Sequence, residues 1–141
     1  MIQRLNGQLP GGVELVMSDG NPARLIEAWS NASLAIVVDA VRADPPQPGR
    51  HHRFVLDGTG PGTAPDAART APGARPTAST HGFGLDAALG ISLALGRLPQ
   101  RLIVYAIEVT DLSQGEGMTA EVAAAVGAAA AAVRRDIMTA Q

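Results

Sequence analysis

Two residues of this chain combine side-chain type and position in a way that suits chemistry. Asp39 closes the apolar run Leu34-Ala35-Ile36-Val37-Val38, and His81 stands in Ser79-Thr80-His81-Gly82-Phe83, where a helical pattern begins. A carboxylate and an imidazole brought to one place by different elements can hold a metal ion, or one can orient the other. In an open α/β sheet that place is the crevice beyond the carboxyl ends of the strands. Glu108 ends the run Arg101-Leu102-Ile103-Val104-Tyr105-Ala106-Ile107 and is a third acid at the same sheet edge if the strands run parallel. Plainer readings exist for all three: a loop cap, a solvent-facing helix start and a solvated loop acid. Spacing alone does not choose for Asp39, and it favours the plainer reading for His81 and Glu108. Adjacent strand residues point to opposite faces, so His51-His52, beside Phe54, read as solvated turn residues rather than a ligand pair.

The elements that must position these residues follow from apolar periodicity. Residues 34–38 and 101–107 are continuous apolar strands, the kind buried on both faces of a parallel sheet. Residues 12–17 alternate and are rich in β-formers, which predicts another strand, and 53–56 predict a short one after the proline-rich break at 44–49. Ile2, Leu5 and Leu9 share a helical face that stops at Pro10-Gly11-Gly12. Asn21-Pro22 caps a helix carrying Leu25, Ile26 and Trp29. Residues 84–95 predict a helix through Leu85, Ala88, Leu89 and Leu93. Thr119 is the expected N-cap of a long helix with Glu121 in its first turn and a stripe of Val122, Val126, Ala130, Val133 and Ile137. Residues 58–80 hold no bulky apolar side chain and predict a mobile loop. Strands alternating with helices imply α/β architecture: one domain over 1–141, a three-layer sandwich with a mostly parallel sheet.

Composition narrows the functional classes. The chain has 141 residues, 46% hydrophobic but only 3% aromatic, so its core is built from Ala, Val, Leu and Ile. A net charge of −2 argues against nucleic acid or an anionic membrane as partner, since both reward a basic surface. The absence of cysteine excludes disulfides and thiol catalysis. No window reaches the roughly 18 apolar residues of a membrane span, and the first residues lack the apolar stretch of a signal peptide. A cytoplasmic protein is expected. The signatures of a phosphate loop, a dinucleotide fold and a serine-hydrolase elbow are all missing.

Four stretches in this order carry a family resemblance: Ile36-Val37-Val38-Asp39-Ala40-Val41, Thr80-His81-Gly82-Phe83-Gly84-Leu85, Val104-Tyr105-Ala106-Ile107-Glu108, and Gly117-Met118-Thr119-Ala120-Glu121-Val122. Together they resemble the hydrogenase maturation endopeptidases, which trim the C-terminus of the large subunit of nickel–iron hydrogenases. The resemblance implies a peptidase acting on a large-subunit precursor after metal insertion, with nickel carried by the substrate, or another divalent metal, as the recognised ion. The family binds metal through an acidic residue after its first strand, an aspartate after a later strand and a histidine before a helix. Asp39 and His81 match the second and third, and Glu108 is a supporting candidate. The family's opening apolar strand, and the Gly-Asn and Gly-Asp type loop that supplies the first acid, have no counterpart here. Met1 falls inside what would be the next helix, and Glu14, within a predicted strand, is no replacement. An N-terminally incomplete domain with two of three ligands is therefore expected, and a homodimer would cover the strand edges left open. Two alternatives stand beside the enzyme: a non-catalytic relative that docks a hydrogenase subunit or accessory protein, and an unrelated α/β domain binding a small anion.

Overall fold

The structure is a computed structural model and describes residues 1–43, 45, 47–57, 76–79, 83–110 and 118–141. Along the chain run α1 (Ile2–Leu5), α2 (Pro22–Trp29), β1 (Leu34–Ala43), β2 (His51–Asp57), β3 (Pro76–Ser79), α3 (Phe83–Leu95), β4 (Arg101–Glu108) and α4 (Ala120–Thr139). The strands form one sheet in the order β2-β4-β1-β3. The two continuous apolar runs are its interior strands, and they pair in parallel, with Leu34 opposite Arg101 and Val41 opposite Glu108. β4 is buried along its length from Leu102 to Glu108.

The sheet is mixed rather than mostly parallel, because β2 pairs antiparallel with β4 and β3 antiparallel with β1. The connection between β1 and β2, residues 44–50, explains the first departure. A parallel crossover needs about a dozen residues or more, so a link this short must send the chain back the other way. Each face of the sheet carries its own core cluster. Leu102 and Val104 pack with Ile26 and Trp29 of α2 and Ala88 of α3, while Ile103, Tyr105 and Ile107 pack with Val122, Ala125, Val126, Ala129, Ala130, Val133 and Ile137 of α4. The aliphatic core expected from composition is thus divided by β4, whose alternate side chains feed both clusters.

Capping follows the sequence closely. The Asn21 side chain accepts the backbone N–H groups of Ala23 and Arg24, Pro22 occupies the first turn, and the Thr119 hydroxyl accepts the N–H of Val122. Three expectations fail. Residues 12–17 join no ladder among the described residues: the interior strands already hold two partners each, and Leu15, Val16 and Met17 stay exposed. The first helix stops at Leu5, because Asn6 is extended and Gly7 takes φ +74. Within the expected loop 58–80, residues 76–79 form β3 against Val41, Arg42 and Ala43. Ladder hydrogen bonds use the backbone, so this strand needs no apolar side chain to announce it. Residues 58–75 and 80 lie outside the described residues.

Two contacts fix how the layers sit. A Cβ added at Gly84 would run into the backbone carbonyl of Gly20, so the start of α3 lies directly on the turn leading into α2. Gly84→Ala has only backbone to displace and is expected to cost about 1–3 kcal/mol. Thermal unfolding checks this, and an unchanged midpoint would show that the two turns are not in contact.

On the opposite face, Arg53 of β2 makes a two-pronged ion pair with Asp136 of α4 at 3.0 and 2.9 Å, and the Tyr105 hydroxyl donates to the same carboxylate. Burial works against the Asp136 charge, but the hydrogen bonds from Arg53 and Tyr105 outweigh it and lower the carboxyl's pKa. A folded-state value below the unfolded one, about 3.9, stabilises the fold above that pH and ceases to do so as pH falls through the folded value. Asp136→Asn should therefore lower the urea midpoint at neutral pH, with the gap to the native protein closing below about pH 4. A gap that stays constant into strong acid would contradict the assignment.

Candidate functional site at the carboxyl end of the central strands

β1 does not close at Asp39. It continues to Ala43, because Asp39, Ala40 and Val41 remain laddered to Ala106, Ile107 and Glu108. Asp39 is therefore a strand carboxylate, only 6% exposed, and its Oδ1 accepts the N–H of Ala40 at 2.9 Å. Its place in the alternation puts it on the face of Ala35 and Val37, the side of the sheet covered by α2 and α3. A loop cap is thereby replaced by a polar group held inside the fold.

Glu108 is not a solvated loop acid. It is 1% exposed at the last position of β4, and it shares a face with Leu102 and Val104. Oε2 accepts the backbone N–H of Gln47 at 3.0 Å, and Oε1 lies 2.6 Å from His52 Nε2. The backbone is tied in as well, since Glu108 N–H donates to the Arg50 carbonyl and Gly49 N–H to the Glu108 carbonyl. Gly49 takes φ +88 and a Cβ there would meet the Glu121 carbonyl at 2.8 Å, so the 44–50 connection reaches Glu108 only because this position is glycine. Asp39 and Glu108 thus occupy adjacent parallel strands on one face, two residues apart along the ladder.

His52 is the residue that sequence reading misplaced. It is no solvated turn residue: its side chain is 9% exposed, it belongs to β2, and it pairs with Glu108. The signal was present in the alternation, because His52 shares its strand face with Phe54 and Leu56, both packed on the α2–α3 cluster. His51 points the other way and is exposed. His52 and Asp39 both stand opposite Ala106, one on each side of β4. His81 lies outside the described residues.

The arrangement is a buried carboxylate and a carboxylate–imidazole pair, set at the carboxyl end of two parallel strands. Its donor set, carboxylate oxygen with imidazole nitrogen, suits borderline divalent ions such as nickel or zinc. Among the described residues no three His, Cys, Asp or Glu side chains cluster tightly enough to enclose an ion. A separate cavity of about 360 Å³, lined by Ser30, Asn31, Ala32, Gly96, Arg97, Leu98 and Gln100, lies at the amino ends of β1 and β4. It sits at the opposite end of the sheet from these groups and takes no part in them. No described helix is long and apolar enough to cross a membrane.

No family model matches the chain, and no curated protein matches it in sequence. Solved structures do match. The hydrogenase maturating endopeptidase HybD from E. coli superposes with a TM-score of 0.69 at 20% identity, covering 94% of this chain and 75% of its own. The solution structure of an endopeptidase from Escherichia coli matches with a TM-score of 0.69 at 21% identity, over 94% of this chain and 76% of that one. At this identity the matches show the fold: the chain has the fold of the hydrogenase maturating endopeptidase.

Proposed function

We propose that the protein is a cytoplasmic endopeptidase of hydrogenase maturation, which removes the C-terminal peptide of a nickel–iron hydrogenase large subunit after metal insertion. The observation that carries this reading is the fold shared with HybD across 94% of the chain, joined to the buried Asp39 carboxylate on the α2–α3 face. In this reading Asp39 and His81 engage the nickel already placed in the large-subunit precursor, or another divalent ion in its stead. Asp39 supplies an anionic oxygen ligand and His81 an imidazole nitrogen. An ion so held would supply Lewis-acid polarisation of the scissile carbonyl or activation of a water at neutral pH. Glu108 supports the site through its hydrogen bond with His52.

The test is direct. Purified protein is mixed with nickel-loaded large-subunit precursor, and the precursor's mass is followed. Loss of a C-terminal peptide is expected, and an intact precursor after prolonged incubation would overturn the enzyme. Stable association without cleavage would instead favour the non-catalytic relative that docks a hydrogenase subunit.

A further inference from the structure

The outward sides of the long helices differ. α2 exposes Arg24 and Glu27, and α4 exposes Glu121, Arg134 and Arg135. α3 turns Ala88 and Ser92 fully inward and packs Leu85 and Leu89 on the same cluster. Its exposed residues beyond Asp86 are Gly90, Ile91, Leu93, Ala94 and Leu95, none of them charged. Ile91, Leu93 and Leu95 are 44%, 43% and 62% exposed. A single exposed leucine is ordinary, but a helix that is apolar on every side is normally covered on every side. A Cβ added at Gly90 would meet nothing within 4 Å, so this part of the face is open.

The undescribed parts of the chain offer little to cover it. Residues 58–75, 80–82 and 111–117 contain one leucine, Leu112, and no Ile, Val, Met, Phe, Tyr or Trp. The charges at the two ends of α3 point instead to a second copy. Asp86 stands in the first turn and Arg97 just past the last, and both are exposed. Among the described residues neither makes an ion pair, and residues 87–96 between them carry no charge. When two copies of α3 lie antiparallel about a two-fold axis, Asp86 of each comes level with Arg97 of the other, so both pairs form at once. At 3.6 residues per turn, Gly90 and Ala94 occupy the middle of the exposed face, with Ile91 and Leu93 on its flanks.

We propose that α3 is the interface of a homodimer: it packs antiparallel on α3 of a second copy, with Asp86 of each paired to Arg97 of the other. This surface lies over a face of the sheet and is separate from the strand edges. The inference goes beyond the peptidase reading and does not depend on it. Specific interfaces bury about 1,200 Å² or more in total, and one pair of 13-residue helices falls at the low end. Micromolar association is therefore expected, with dimer and monomer in exchange.

Sedimentation velocity over a dilution series of the purified chain is the test. It is run on the native protein, Ala94→Arg, Asp86→Arg, Arg97→Asp and the double reversal, with circular dichroism verifying that each is folded. Ala94→Arg is expected to weaken the dimer about 100-fold, because every dimer carries the new charge twice. Each single reversal should weaken it about 10-fold, and the double reversal should return it to within about twofold of native. A native protein still monomeric at about 1 mM overturns the proposal, as does a dimer that Ala94→Arg leaves intact. A double reversal as weak as the single ones overturns the antiparallel arrangement. A monomeric native protein that cross-links to nickel-loaded large-subunit precursor, and ceases to in Ala94→Arg, also overturns the dimer and gives the face to the substrate. If Ala94→Arg fails to fold, the charge reversals decide alone.

Discussion

Asp39→Asn is expected to reduce processing of a nickel-loaded large-subunit precursor by roughly 100-fold or more, because loss even of groups that only orient a ligand costs 10–100-fold. The substitution is nearly isosteric, and an amide oxygen can still accept the Ala40 N–H that Asp39 Oδ1 now holds. The strand and its ladder should therefore survive, while the anionic oxygen is lost. That separation gives the variant its diagnostic force. Single-turnover cleavage with matched thermal unfolding is the measurement. Retained cleavage by a folded Asp39→Asn protein would remove the carboxylate from the chemistry.

The largest effect on stability belongs to Trp29→Ala, expected at about 3–5 kcal/mol. Trp29 is buried between α2 and α3 on the sheet face, and its indole N–H donates to the Ser92 hydroxyl at 3.0 Å. Ser92 has no exposed surface, so truncation opens a cavity and also strips a buried hydroxyl of its partner. A loss of this size lowers the unfolding midpoint by roughly 10 °C or more in a chain of this length. A shift of only a degree or two would mean that α2 and α3 are not joined through this pair. The consequence extends to function, because α3 begins directly after the segment that carries His81. A chain that holds α3 loosely against α2 should lose activity before it loses all its structure.

What could be read from the sequence was whatever depends on near neighbours. The apolar runs at 34–38 and 101–107 announced the parallel interior pair, and Asn21-Pro22 and Thr119 announced two helix starts by chemistry confined to one turn. Apart from the first helix, which a local turn at Asn6 and Gly7 ends early, the misreadings concern pairing between distant residues. Residues 12–17 have the pattern of a strand but no free interior edge to join, whereas 76–79 lack the pattern and find one beside β1. Asp39 looked like the end of a strand because the apolar run ended there, yet the ladder with β4 and β3 carries the backbone onward. The same non-local pairing put Glu108 and His52 in contact across 56 positions of sequence, turning two apparently solvated residues into a buried pair. The short 44–50 return that makes the sheet mixed is also what brings β2, and with it His52, alongside the end of β4.

The central claim is that an ion is engaged at the carboxyl end of β1 and β4, on the face covered by α2 and α3. Titrating the ¹⁵N-labelled protein with paramagnetic cobalt and recording which amide signals broaden tests it most directly. The account predicts early broadening at Asp39, Ala40, Ala106 and Glu108, with Ser30, Asn31, Arg97 and Gln100 at the other end of the sheet unaffected. Broadening confined to that opposite end, or absent from Asp39 at saturating cobalt, would contradict it.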